Sequence, residues 1–121
     1  MAINWFEAAL VFRIIDDNDT EFEKQHIILK ANSKKEAYQK ALIMASAELD
    51  KRNYIQDYTF EYLGIEKLEK TDNVSAESFS SSILEAPKDF IAFVTSLRFM
   101  NLFIQSQLTQ PSVRHHTFVN S

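Results

Sequence analysis

The sequence of 121 residues contains no cysteine, a single glycine and two prolines. Without cysteine the chain can form no disulfide, no thiolate nucleophile and no cysteine-ligated zinc or iron–sulfur centre. A loop that cradles phosphate needs several glycines to bring backbone amides close to the anion, and Gly64 stands alone. The sequence therefore excludes nucleotide binding through a P-loop or a dinucleotide fingerprint, and it predicts no cofactor.

Basic charge and long apolar runs are also scarce. Lysine and arginine number 13 against 17 acidic residues, which gives a net charge of −4, whereas a general nucleic-acid binder normally carries a basic surplus. The most apolar window, residues 90–104, includes Arg98 and Asn101 and is too short and too polar to span a bilayer. The first residues lack the basic and then apolar order of a secretory signal. These features predict a cytoplasmic protein without nucleic-acid or membrane partners.

The first half of the chain has the pattern of a β-hairpin. In residues 4–15 every second position is apolar, which is typical of a strand with one buried face. Turn-forming residues follow at 16–20, and a second strand is predicted at about 21–31. If Ile27, Leu29 and Ala31 join the buried face, the opposite face carries Glu7 and Arg13 beside Lys24, His26 and Lys30.

A capping box at Ser33 and Glu36 predicts the start of a helix. Ser33 is expected to accept from the Glu36 amide, while the Glu36 carboxylate reaches back to the Ser33 amide. Alanines and a leucine every four residues form one flat apolar face, and polar residues 50–53 are expected to end the helix. A strand at about 54–69 should contain a bulge or a close backbone contact at Gly64, and a further strand is predicted at 77–84.

A second helix is predicted at about 88–107, with Pro87 in its first turn and Asp89 nearby. The tail, residues 109–121, is expected to hold a short strand at 113–119 that adds to a sheet edge. The predicted fold is α+β in one domain, residues 1–108. It has an antiparallel sheet of three or four strands in the order ββαβ(β)α, one capped helix and one long Phe-rich C-terminal helix.

The N-terminal pattern resembles a small, mostly bacterial family catalogued as a domain of unknown function, family 4288. The likeness covers about residues 3–70. It rests on Trp5-Phe6, Leu10-Val11-Phe12, Glu21-Phe22-Glu23, Ile28-Leu29, Ser33, Glu36-Ala37, Lys40-Ala41 and Leu63-Gly64-Ile65. The resemblance implies a compact form and carries no known activity, cofactor or catalytic residue.

One sheet face is the candidate ligand face. Its residues are Trp5, Glu7, Arg13, His26 and Glu61. These groups predict either a general acid/base pocket centred on Glu7 or His26, or a cross-strand ladder of opposite charges on a solvated sheet. We favour the ladder. No metal site is expected, because adjacent His115 and His116 point apart on an extended chain.

The second helix is the candidate interface. Its apolar positions span more than one stripe, so it must be covered on more than one side. The predicted interface comprises Phe90, Phe93, Val94, Leu97, Met100, Phe103 and Ile104. We expect a homodimer, together with a protein partner of unknown identity. The leading hypothesis is a non-enzymatic interaction module. One alternative is a small enzyme or ligand-binding protein using Glu7, Arg13 and His26, and another is an immunity-type protein that binds a toxin.

Overall fold

The computed structural model describes residues 3–17, 19–55, 58–72 and 74–114. One open antiparallel sheet has the strand order β3-β1-β2-β4, and two helices complete the order ββαββα. The α+β fold predicted from the sequence is confirmed, with four strands. The elements are β1 (Asn4–Ile15), β2 (Thr20–Ala31), α1 (Lys34–Ile55), β3 (Thr59–Thr71), β4 (Ser78–Leu84) and α2 (Phe90–Arg114).

The β1–β2 hairpin has the predicted register. Phe6 lies opposite Leu29 and Ala8 opposite Ile27, so the apolar positions of both strands share one face. This helix face packs against Ala37, Ala41 and Ala45 of α1, and all of these residues are buried. The opposite face, called the ladder face below, carries Glu7, Arg13, Lys24, His26 and Lys30.

The cap of α1 forms largely as predicted. Ser33 Oγ accepts a hydrogen bond from the Glu36 amide at 3.1 Å, while the Glu36 carboxylate accepts from the amide of Asn32 rather than that of Ser33. The helix does not end at residues 50–53, because Arg52 and Asn53 bind the sheet below them. As a result α1 continues to Ile55 and β3 begins only at Thr59.

The predicted bulge at Gly64 is confirmed. The pairing of β1 with β3 slips between Ala9 and Leu10 and again between Val11 and Phe12, on either side of the Val11–Gly64 pair. Each slip adds one residue to β3 that has no partner on β1. Because of these two extra residues, Ile65 and the residues on both sides of the bulges face the core. Gly64 itself has a φ of 152°, a backbone conformation that other residues rarely adopt.

Helix α2 crosses the β3 edge of the sheet. It begins on the ladder face, where the rings of Phe90 and Phe93 lie 5.9 and 5.7 Å from that of Phe22. Its second half reaches the side of α1, where Lys34 Nζ donates to Gln107 Oε1 at 2.6 Å. Neither described helix is long and apolar enough to cross a membrane.

The ends of α2 differ from the prediction. Asp89 is the cap, since its Oδ1 accepts from the Ala92 amide at 3.1 Å, and Pro87 precedes the helix instead of lying in its first turn. The helix runs to Arg114, so residues 109–114 of the predicted tail are helical. The short strand predicted at 113–119 therefore does not begin at Val113, and its remaining positions lie outside the described residues.

Tyr62 supplies a first prediction. Its hydroxyl is buried and has no hydrogen-bond partner among the described residues, and burial raises the pKa of Tyr62 above its ordinary value of 10.0. We expect Tyr62→Phe to raise the free energy of unfolding by about 0.5–1 kcal/mol, because an unpaired polar group leaves the interior. Tyr58→Phe is the control: it removes the acceptor of Arg52 Nη1, 3.2 Å away, and should lower stability by about 1 kcal/mol.

The pH dependence provides an independent measurement on Tyr62→Phe. As the pH rises through 10.0, the unfolded chain releases the Tyr62 proton while the folded chain keeps it. Folding is therefore opposed increasingly above that pH. Urea unfolding should show a steeper alkaline loss of stability in the wild type than in Tyr62→Phe, and equal slopes would contradict this role for Tyr62.

Candidate functional site

The candidate ligand face is a series of ion pairs laid across three strands. Arg13 and Glu61 are directly opposite in the β1–β3 pairing, and Arg13 Nε donates to Glu61 Oε1 at 2.8 Å. Lys24 Nζ lies 2.6 Å from a carboxylate oxygen of Glu66. The sequence placed Arg13 and Glu61 on this face correctly, and β3 adds Glu66, whose position depends on the bulge.

Glu7 is the centre of the second half of this charge ladder. One of its carboxylate oxygens lies 3.0 Å from Lys67 Nζ, and the other lies 3.7 Å from His26 Nδ1. The hydrogen bond and the charge of Glu7 raise the pKa of Lys67, so Lys67 is held as a charged partner and is unsuited to act as a general base. Trp5 makes a separate cation–π contact, in which Lys30 Nζ lies 5.6 Å from the centroid of its ring.

The geometry of these groups matches a cross-strand ladder. Arg13 and Glu7, the two members of the ladder on β1, are separated by about 20 Å along the strand, and the Lys24–Glu66 pair joins β2 to β3 between them. Each basic group faces an acid, so the charges neutralise each other pairwise and do not converge on one point. In the part of the chain that the structure describes, no three His, Asp or Glu side chains are grouped to hold a metal ion.

Most of the predicted interface residues on α2 face their own domain. Leu97 and Ile104 are buried, and Ile104 belongs to the core beneath α1. Phe93 and Val94 are half-buried. Phe90 contacts Phe22, while Arg13 stacks over its ring at 4.9 Å. Only part of the predicted set, chiefly Met100 and Phe103, remains on the surface.

The outer face of α2 is apolar nonetheless. Ile91, Phe99, Leu102 and Phe103 are 78, 68, 62 and 58% exposed. Among residues 90–107 Arg98 is the one charged side chain. The sequence did not distinguish this outer stripe from the inward one, because a helix that is apolar all round gives no periodic signal for its exposed side.

A second apolar surface lies at β4, which the sequence analysis did not single out. Phe79 and Ile83 are opposite Ile27 and Glu23 in the β2–β4 pairing, so both are on the helix face, and they are 53 and 58% exposed. Between β4 and α1 lies a groove of about 310 Å³ whose walls include Met44 and Phe79. The alternation of Phe79 and Ile83 with serines indicates a strand with one apolar face. The sequence does not show that this strand lies at the edge of the sheet.

The comparisons with known proteins concern the N-terminal part of this structure. A family model described as a domain of unknown function, DUF4288, matches residues 5–79. Searches of curated proteins and of solved structures find no match. The matched segment covers β1, β2, α1 and β3 and reaches the first residues of β4, which is more than half of the chain, so the chain belongs to the DUF4288 family.

Proposed function

We propose that this chain is a non-enzymatic protein-interaction module that works as a homodimer. The observation that carries the proposal is the placement of its exposed large apolar side chains. Most of them gather on two surfaces, the outer face of α2 and the β4 region, and residues 90–107 and 78–84 together hold a single charged side chain, Arg98. Contiguous exposed apolar side chains on a small domain are typical of interaction sites.

The distribution of charge favours a second copy of the chain as the partner that covers these apolar surfaces. Two identical chains of net charge −4 repel each other wherever their charged surfaces meet. Contact through an uncharged surface avoids that repulsion and buries the apolar groups at the same time. The part of each such side chain that is still exposed is on the order of 100 Å², so the four on the outer face of α2 supply roughly half of the ~800 Å² per subunit of a standard interface.

The charge ladder supports the non-enzymatic part of the proposal. General acid/base catalysis needs a poised group within reach of a bound substrate, whereas Glu7 is shared between Lys67 and His26 and Arg13 is paired with Glu61. The ligand-binding alternative on this face and the immunity-type alternative stay predictions. None of the contacts described above favours either of them.

The test is the mass of the protein in solution. Light scattering at about 10 μM is expected to give twice the 14.0 kDa of one chain. Raising the salt to about 0.5 M should leave that mass unchanged, because screening acts on exposed charges and not on apolar contacts. A mass of 14.0 kDa would contradict self-association, and a dimer that dissociates in salt would contradict its apolar basis.

A further inference from the structure

The two edges of the sheet differ in whether their outward backbone groups are hydrogen-bonded. At the β3 edge two asparagine side chains each bind both backbone groups of one residue. Asn53 of α1 donates to the Phe60 carbonyl and accepts from its amide, both at 2.9 Å. Asn101 of α2 does the same for Ile65 at 3.3 and 3.2 Å. Each asparagine thus occupies backbone groups that a further strand would use, and this edge is closed.

Among the described residues, none covers the β4 edge in a comparable way. Within the described residues β4 pairs with β2 alone. Its seven residues, Ser78–Leu84, include no charged side chain, no proline and no glycine. Natural proteins protect an exposed edge with charged residues or proline, because a free row of backbone groups invites pairing with another chain. An edge that lacks this protection and exposes Phe79 and Ile83 is open to pairing with a further strand.

The geometry points to pairing of β4 with β4 of a second copy, antiparallel and with the two-fold axis at Ser81. This inference rests on the proposed self-association and names its site. In this register all seven residues of the strand are paired, and Phe79 lies beside the partner's Ile83 on the helix face. The two four-stranded sheets then form one continuous sheet of eight strands.

The strand suits a second copy because it is self-complementary. A two-fold interface brings the same patch of both subunits together, so its residues must match their own reversed order. The pattern of β4 on the helix face is Phe79, Ser81, Ile83, which is apolar, small, apolar in both directions. Glu77 and Glu85 lie just outside the two ends of the strand, at equal distances from Ser81, and the carboxylate of Glu77 accepts a hydrogen bond from the Lys30 amide at 3.1 Å.

The absence of cysteine makes cross-linking a direct test. Residues opposite each other across antiparallel strands have Cα atoms about 4.5–5.5 Å apart, within the range of about 4.4–6.8 Å that a disulfide bridges. Ser81→Cys is therefore expected to give a covalent dimer with oxidised glutathione, seen on a non-reducing gel and reversed by dithiothreitol.

Neighbouring serines provide matched controls. In the proposed register Ser80 lies opposite the partner's Ser82, so the two copies of residue 80 are about 8 Å apart and too far for a disulfide. Ser80→Cys and Ser82→Cys should each fail to cross-link alone, while a mixture of the two proteins should form the mixed dimer. A covalent dimer from Ser80→Cys alone, without one from Ser81→Cys, would overturn this register.

A charge substitution tests the interface without cysteine. Phe79 is half exposed within its own chain, so Phe79→Lys should fold normally, confirmed by circular dichroism, and raise the dimer Kd by about tenfold or more. The control is Phe99→Lys on the outer face of α2, which should keep the wild-type Kd.

The outcomes separate this inference from the proposed function. A wild-type dimer with no Ser81→Cys cross-link and an undisturbed Phe79→Lys dimer overturns the β4 interface and leaves self-association standing. Dissociation by Phe99→Lys alone would place the interface on α2. A monomeric wild type overturns both proposals.

Discussion

Replacing Gly64 with alanine is expected to lower the free energy of unfolding by about 2–4 kcal/mol. The backbone φ of 152° is strained for any residue with a Cβ atom. In addition, that Cβ would lie 2.6 Å from Asn101 Nδ2, far inside van der Waals contact. The asparagine would have to move, and its movement would break its bonds to Ile65 and to the Leu97 carbonyl.

A double variant separates the two causes. If the clash with Asn101 contributes, Gly64→Ala should be less harmful in an Asn101→Ala background than in the wild type, because neighbouring substitutions that share a contact are not additive. Urea unfolding followed by the fluorescence of Trp5, the single tryptophan, gives each free energy. A loss below about 1 kcal/mol for Gly64→Ala would show that the bulge tolerates a side chain.

The sequence predicted correctly those features of the fold that depend on local residue patterns. Alternation with a period of two fixed the hairpin register, because a slip of one residue would have turned Phe6, Ala8 and Leu10 to the other face. The cap at Ser33 needs only residues within one helical turn. The same reasoning located Arg13 and Glu61 on one face and Gly64 in a bulge.

The remaining features depend on contacts between elements. Polar residues 50–53 predict a helix end, yet Arg52 and Asn53 extend α1 because they bind β2, β3 and Tyr58. No local pattern explains Asn101 in an apolar helix, because its role is to bind the backbone of Ile65 at the β3 edge. The inward stripe of α2 and the exposure of β4 follow from the strand order, which no pattern in the sequence determines.

Replacing Arg52 with methionine is expected to lower the free energy of unfolding by about 3–5 kcal/mol. Arg52 Nη2 lies 2.6 Å from Glu23 Oε1, and the side chains of Arg52 and Glu23 are only 18 and 8% exposed. The guanidinium also stacks over Phe60 at 4.1 Å and donates to Tyr58. Methionine keeps much of the packing volume, so the loss comes mainly from leaving the Glu23 carboxylate buried with Gln25 as its remaining donor.

The double variant Glu23→Met/Arg52→Met tests that cause. Removing both charges relieves the uncompensated carboxylate, so the double variant should be at least about 2 kcal/mol more stable than Arg52→Met alone. Arg98→Met, on the exposed side of α2, is the matched arginine control and should change stability by less than about 0.5 kcal/mol. If Glu23→Met/Arg52→Met is as unstable as Arg52→Met in urea unfolding, stacking on Phe60 and contact with Tyr58, and not charge pairing, explain why Arg52 stabilises the end of α1.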